Sequence, residues 1–133
     1  MGSAAEPHPP VTAGIRPPLP GSPTVGVVGA ELMVRSRVLA VAGPLGWTVR
    51  DVGRAADALS VDLLLVDLNR EPERRLALLF QVRSSLPQLP AICFGAHVEA
   101  GAWAPEARRL GAVCCANSSL PRVLRQHLPR VPG

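Results

Sequence analysis

The sequence contains no lysine and no tyrosine, and all 14 of its basic residues are arginine. The absence of lysine excludes a phosphate-binding loop of the Walker type, a Schiff base and a lysine general base. Aromatic residues make up only 3% of the chain, so a core must be aliphatic, and the hydrophobic content of 47% is enough to form one.

No apolar run reaches the roughly 20 residues of a membrane span. We also find no secretory signal, and we expect a cytoplasmic protein without membrane contact.

The net charge of +4 is distributed along the chain, which is typical of a solvated surface. Binding of nucleic acid is therefore kept only as a low-ranked alternative. Three cysteines, Cys93, Cys114 and Cys115, lie within apolar stretches, and their odd number indicates reduced thiols. Neighbouring residues of a strand point to opposite faces, so Cys114 and Cys115 cannot ligate one ion together. We interpret all three as small core residues.

Composition divides the chain into three parts. Residues 1–23 contain seven prolines and mostly small residues otherwise, which predicts a disordered proline-rich tail with polyproline II tendency. Residues 24–128 carry the apolar patterns of a single folded domain. Residues 129–133 form a short C-terminal tail that begins at a proline.

The middle part alternates between strand and helix patterns. Short apolar segments predict five strands at residues 24–29, 47–52, 61–68, 91–95 and 113–116. Helices are predicted to begin at Glu31, at Pro72 and near Pro121, and another lies between Glu99 and Leu110, where Pro105 marks its start or a kink; residues 53–60 allow only a short helix or turn. We expect Leu76, Leu79 and Phe80 to face inward. The alternation predicts an α/β fold with a parallel sheet covered by helices on both faces.

The third strand organises the chain. Residues 61–69 read V-D-L-L-L-V-D-L-N, a short apolar run that ends in Asp67 and is typical of a strand buried on both faces. Such a strand places its last side chains at the carboxyl edge of the sheet, where ligands bind in open α/β folds. His97 follows the fourth strand and is expected at the same edge. An enzyme that uses Asp67 and His97 as an acid–base pair is therefore an alternative, although no nucleophile has an obvious place beside them.

The arrangement resembles the receiver domains of bacterial two-component response regulators. The resemblance covers residues 24–128 and depends on the order of elements, on Asp67 at the end of the third strand, and on Gly111-Ala112 before the fifth. Residues 92–99, I-C-F-G-A-H-V-E, are similar to an F-G-S-H-V-D signature of short, divergent receiver-like proteins. The resemblance implies a flavodoxin-like (CheY-like) fold with strand order 2-1-3-4-5.

Receiver domains transfer a phosphoryl group to the aspartate that matches Asp67, with Mg²⁺ held by an acidic pair after the first strand. Here that pair is replaced by Gly29 and Ala30, and Glu31 is the nearest acid. The hydroxyl residue that ends the fourth strand is replaced by Gly95 and Ala96. The lysine that ends the fifth strand is replaced by Cys115 or Ala116.

Two readings of this incomplete set follow from the resemblance. We favour a stand-alone, degenerate pseudo-receiver that is not an enzyme, needs no cofactor, and regulates by contact with a protein. The alternative is a phosphorylatable single-domain response regulator in which Asp67 accepts phosphate. In that reading Glu31 and Asn69 help to hold Mg²⁺. We expect Glu31, Asp67, Asn69 and His97 to form either a metal site or a purely polar cluster at this edge.

The resemblance also implies a partner surface. The fourth and fifth helices of receivers and their fifth strand commonly bind partners or a second copy. We therefore predict that a sensor kinase, a regulatory target or a second copy binds at a surface containing Trp103, Arg108, Arg109, Arg122 and Arg125. Trp103 is a candidate anchor of that surface, or a packing residue.

Overall fold

The computed structural model describes residues 21–29 and 31–132, and of residues 97–100 it describes the backbone alone. Within these ranges the chain forms strands β1 (Thr24–Val28), β2 (Thr48–Asp51), β3 (Leu63–Asp67), β4 (Ala91–Gly95) and β5 (Val113–Ala116). The helices are α1 (Leu32–Ala42), α2 (Pro72–Ser85), α3 (His97–Arg109) and α4 (Leu120–His127). Short 3-10 helices cover Gly43–Leu45, Ala55–Ser60 and Asn117–Ser119.

The five strands form one sheet in the order β2-β1-β3-β4-β5, and all neighbouring strands are parallel. This order confirms the predicted flavodoxin-like fold. Strand β3 lies at the centre, where it pairs with β1 on one side and with β4 on the other. All five of its residues are buried, because both of its faces are covered by helices.

Two aliphatic cores lie on opposite faces of the sheet. Alternation along β3 sends Leu64 and Val66 into one core and Leu63 and Leu65 into the other. The first core is closed by α2, α3 and the 3-10 helix Ala55–Ser60. The second is closed by α1 and α4. Both faces of the sheet are thus covered, as the alternation of elements predicts.

The prediction that Phe80 faces inward is wrong, since this side chain is 61% exposed. Helix α2 buries Leu76, Leu79 and Val82, and Phe80 follows Leu79 by about 100° of helical rotation, which carries it off that stripe. Helix α3 also begins earlier than predicted, at His97, and continues through Pro105. The loss of one backbone donor does not end α3, because the helix packs along β4 and β5.

Contacts continue past the predicted domain end at residue 128. The indole Nε1 of Trp47 donates to the carbonyl of Pro129 over 2.8 Å, and the amide of Val131 donates to the carbonyl of Leu45 over 2.8 Å. The predicted domain boundaries remain predictions, and most of the proline-rich tail lies outside the described residues. No helix in the described ranges is both long and apolar enough to cross a bilayer.

Gly26 in β1 gives a test of how closely the sheet packs against its connections. A Cβ atom at this position would lie 2.7 Å from Cγ2 of Val52 and 2.8 Å from Cγ1 of Val61. We expect Gly26→Ala to lower the free energy of unfolding by about 1–3 kcal/mol, because two β-branched side chains in the core must move. Urea denaturation of the purified variant measures this change.

Gly101→Ala in α3 is the matched control. A Cβ atom there meets no other atom within 4 Å, so the same substitution is expected to raise stability by up to about 1 kcal/mol through helix propensity. An unchanged urea midpoint for Gly26→Ala would contradict the packing described for β1.

Candidate functional site

Asp67 is the last residue of β3 and lies at the carboxyl edge of the sheet. It is only 3% exposed and is a rare buried charged residue among those the structure describes. Its backbone is held by the neighbouring strands, and in the register with β4 it lies opposite Phe94. A carboxylate in such surroundings must be compensated by hydrogen bonds or by an opposite charge.

The turn after β3 supplies the first of these partners. Oδ1 of Asp67 accepts hydrogen bonds from the backbone N–H of Asn69 over 2.8 Å and from Nδ2 of Asn69 over 2.7 Å. This is the local pattern in which an aspartate accepts from the residue two positions ahead. One carboxylate oxygen of Asp67 is thereby occupied by Asn69.

Asn69 connects the ends of three strands. Its Oδ1 accepts from the backbone N–H of Ala96 over 2.8 Å, which ties it to the end of β4. Its amide also forms a reciprocal pair with the amide of Asn117, with both N–O distances at 3.0 Å. The carbonyl of Asn117 accepts from the guanidinium of Arg37 over 3.3 Å, which extends the connection to α1. We call Asp67, Asn69 and Asn117 the amide chain.

Arg75 provides the opposite charge for Asp67. Its Nη1 donates to the backbone carbonyl of Asp67 over 2.9 Å and lies 3.8 Å from Oδ2 of the same residue. The side chains of Arg75 and Asp67 are 14% and 4% exposed, so little solvent screens this pair. The second carboxylate oxygen therefore faces a guanidinium.

The same guanidinium lies against Gly29, directly after β1. A Cβ atom at Gly29 would collide with the guanidinium carbon of Arg75, and Gly29 has a φ angle of +75°. Only glycine combines this backbone conformation with the space that the guanidinium needs. The absence of a side chain at Gly29 and the presence of Arg75 thus depend on each other.

Of the predicted edge cluster, Asn69 contacts Asp67, and Glu31 pairs with an arginine. Oε2 of Glu31 lies 2.9 Å from Nε of Arg70 on the exposed surface, and Ala30 and the side chain of His97 lie outside what the structure describes. No group of three histidine, cysteine, aspartate or glutamate residues in the described part is arranged to hold a metal ion. Mg²⁺ requires several oxygen ligands, and the cation beside Asp67 is a guanidinium, so the residues present do not fit the ion.

The remaining receiver positions also lack their usual chemistry. Gly95 and Ala96 have no hydroxyl group, and Cys115 and Ala116 end β5 without a positive charge. Burial raises the pKa of Cys93 to about 12 and that of Cys115 to about 11, so both thiols stay protonated at neutral pH and are poor nucleophiles. Burial also raises the pKa of Cys114.

Arg75 and Asn117 are site residues that the sequence analysis missed. Arg75 is one of 14 arginines, and nothing in its spacing from Asp67 distinguishes it from Arg74. Asn117 could have been predicted from the sequence, because it is the first polar residue after β5 and the carboxyl ends of parallel strands share one edge.

The predicted partner surface lies at the far edge of the sheet. Arg108, Arg109, Arg122 and Arg125 are exposed, and Val113 of the edge strand β5 is 43% exposed. Burial raises the pKa of Cys114 and Cys115, and the charges of Arg108 and Arg122, respectively, oppose this effect in part. Trp103 is half-buried and packs against the first core.

Comparison with known proteins gives similarity in structure alone. No family model matches the chain, and no curated protein matches it in sequence. The chemotaxis protein CheY4 of Vibrio cholerae superposes with a TM-score of 0.64 at 18% identity, covering 84% of this chain and 100% of its own. A CheY-like protein, TadZ, from Pseudomonas aeruginosa PAO1 gives 0.66 at 16% identity, covering 80% and 98%. A response regulator receiver protein from Pseudoalteromonas atlantica gives 0.63 at 17% identity, covering 80% and 96%.

These likenesses agree with the strand order and the helical layers. The chain therefore has the CheY-like receiver fold, as its resemblance to receiver domains implied. At such low identities the chemistry of the site must be argued from this chain's own residues.

The amide chain gives a quantitative prediction. We expect Asn69→Ala to lower the free energy of unfolding by about 1–3 kcal/mol, because it removes one of the two donors to Oδ1 of Asp67 and leaves the backbone N–H of Ala96 and the side-chain amide of Asn117 without their partners. Asn117→Ala should cost less, because the bonds between Asn69 and Asp67 remain. In the double variant the two losses should fall short of additivity by about 0.5–3 kcal/mol. Urea unfolding of the four proteins completes the cycle, and strictly additive losses would contradict a direct Asn69–Asn117 interaction.

Proposed function

We propose that this chain is a receiver-like signalling protein that acts by contact with other proteins and does not use conventional aspartyl phosphorylation. The observation that carries the proposal is the guanidinium of Arg75, which lies against Gly29 and beside Asp67. In receivers, carboxylates that hold Mg²⁺ occupy the position of Gly29. A fixed organic cation on the chain takes the place of the exchangeable metal ion.

Electrostatics supports this reading. Phosphoryl transfer needs cations that neutralise charge on the oxygens of the incoming group, and Mg²⁺ does so while bound to carboxylates. Gly29 offers no ligand, and the positive charge of Arg75 opposes a second cation at the same place. A phosphoryl group would also have to break the contacts that Asn69 makes with Oδ1 of Asp67.

The relay of a phosphorylation signal also lacks its usual parts. Receivers use a hydroxyl after the fourth strand and a lysine after the fifth to detect the new charge. Gly95 and Ala96 supply no hydroxyl, and Asn117 takes part in a neutral amide pair. The amide chain links the same strand ends without requiring phosphate.

One observation favours the second candidate, a phosphorylatable single-domain response regulator. Asp67 ends the central strand at the carboxyl edge, where receivers have their acceptor aspartate. In that case Arg75 would act as the counter-charge of the phosphoaspartate. We rank this function second because the metal ligands are missing.

An enzyme that uses Asp67 with His97 ranks third. Such an enzyme needs an open space between the ends of β1 and β3, and the side chain of Arg75 fills the position beside Gly29 and Asp67. Both oxygens of Asp67 already have partners, which leaves no free base. Nucleic-acid binding has no further support beyond the net charge.

The surface formed by α3, β5 and α4 is our candidate for the protein contact. Exposed arginines on α3 and α4 flank the edge strand, and the only acid paired with them in the described part is Glu106, which meets Arg109. Such a surface suits a partner with an acidic face, whether a sensor kinase, a regulatory target or a second copy. An edge strand with exposed backbone groups adds a second means of contact.

Phosphorylation is tested with acetyl phosphate and Mg²⁺, followed by intact-mass analysis. We expect no phosphate on the protein, because the site has no ligands for the metal ion. A receiver domain with a complete acidic pair, treated in the same reaction, is the positive control. Stoichiometric incorporation that disappears in Asp67→Asn would replace our proposal with the second candidate.

The contact surface is tested by charge reversal. We expect Arg108→Glu/Arg122→Glu to lose most of the proteins that the unchanged chain retains in a pull-down, or to abolish self-association in sedimentation, because the surface would repel an acidic partner. Arg50→Glu/Arg130→Glu carries the same change in charge on exposed residues elsewhere and should bind normally. Equal retention by both double variants would move the contact to another surface.

A further inference from the structure

A cleft opens at the carboxyl edge of the sheet, and Arg75 is among the residues that line it. Its walls are the ends of β1 and β2, the start of the 3-10 helix Ala55–Ser60, and α2. Its volume is about 500 Å³, within the range of roughly 300–1,000 Å³ that small-molecule sites span. In this strand order the chain direction switches between β1 and β3, and the cleft adjoins that point through the end of β1.

Charge distinguishes this cleft from an ordinary groove. Three arginines, Arg54, Arg74 and Arg75, line it against a single acid, Glu71. Arg75 is balanced by Asp67, and Arg74 meets Glu71 over 3.1 Å in an exposed pair of the kind that rearranges at little cost. Arg54 forms no salt bridge with any residue in the described ranges. Asp57 accepts hydrogen bonds from the backbone amides of Gly53 and Arg54 at 3.0 Å each, and these bonds, with a smaller contribution from the Arg54 charge, lower its pKa.

The walls between the arginines are apolar. Val28, Val52 and Leu78 line the cleft together with the side-chain-free backbones of Gly29 and Gly53. An inorganic ion would leave this apolar surface uncovered, whereas a ligand with an organic body would cover it. Guanidinium groups bind phosphate through two parallel hydrogen bonds, so arginines are well suited to hold the charged end.

From this geometry we infer that the cleft between β1, β2 and α2 binds a small organic phosphate of about the size of a nucleoside monophosphate. Arg54 and Arg74 hold the phosphate, and the apolar walls hold the organic body. Arg75 lines the cleft on one side and contacts Asp67 on the other, so bound phosphate competes with Asp67 for its guanidinium. Reversible binding of a phosphate thereby acts on the amide chain.

The coupling of the cleft to Asp67 rests on the proposed function, because it assumes that Asp67 stays unphosphorylated. Binding of the phosphate in the cleft does not depend on that assumption. Two measurements on the same protein distinguish failure of the proposed function from failure of the cleft site. Phosphodonor labelling reports on Asp67, whereas ligand binding is read from the cleft.

The test is an NMR titration of ¹⁵N-labelled full chain with adenosine 5′-monophosphate, inorganic phosphate and adenosine as three separate probes. We expect saturable shifts of the Gly29 and Gly53 amide signals with the monophosphate, and weaker binding of the other two probes. Arg54→Gln/Arg74→Gln should weaken binding of the monophosphate by at least about tenfold, since two charge-assisted contacts are lost. Arg50→Gln/Arg130→Gln, with the same loss of charge outside the cleft, should bind as the unchanged protein does.

Three results would overturn the site: no saturable shift with the monophosphate, equal binding of adenosine, or full affinity in Arg54→Gln/Arg74→Gln. If inorganic phosphate bound as tightly as the monophosphate, the inference that the apolar walls hold an organic body would be wrong. Shifts at Gly29 and Gly53 that leave the side-chain amide signals of Asn69 and Asn117 unmoved would overturn the coupling while the binding site stands.

Discussion

The site depends on one requirement, which is that a buried carboxylate must have a counter-charge. Asp67 is carried to the carboxyl edge by a central strand whose position is fixed by both neighbours, so it cannot move toward solvent. Receivers meet this requirement with a dissociable metal ion, whereas here Arg75 meets it from α2. The bare backbone of Gly29 gives the guanidinium room, and Asn69 completes the shell on the other oxygen. Gly29, Arg75 and Asn69 together thus satisfy the buried carboxylate with groups of the chain itself.

The fold was predictable because its signals are local and repeated. Apolar runs bounded by glycine and proline give the strand positions, and their alternation with helical spacing leaves few arrangements of the sheet. The position of Asp67 followed from the same rule, because an apolar strand that ends in an acid places that acid at the carboxyl edge. Phe80 was misplaced because the inward stripe of α2 is narrow, and one residue of displacement moves a side chain to solvent.

The chemistry of the site was less predictable, for a physical reason. Which arginine reaches Asp67 depends on the distance between α2 and the end of β1, which no short pattern in the chain contains. The sequence showed that Gly29 offers no carboxylate and that Gly95 offers no hydroxyl group. It did not show which group neutralises the charge of Asp67. The position of Asn117 after β5 could be predicted from the sequence. Its pairing with Asn69 could not, because it depends on the register of three strands.

The mutual fit of Gly29 and Arg75 also constrains how this sequence can change. An aspartate at Gly29 would collide with the guanidinium, and loss of Arg75 would leave a buried carboxylate unpaired, so each single step toward a metal site is harmful by itself. Only both changes together avoid the two penalties, which is strong coupling between neighbouring positions. Such coupling makes an isolated substitution at either position costly, so Gly29 and Arg75 are expected to change as a pair.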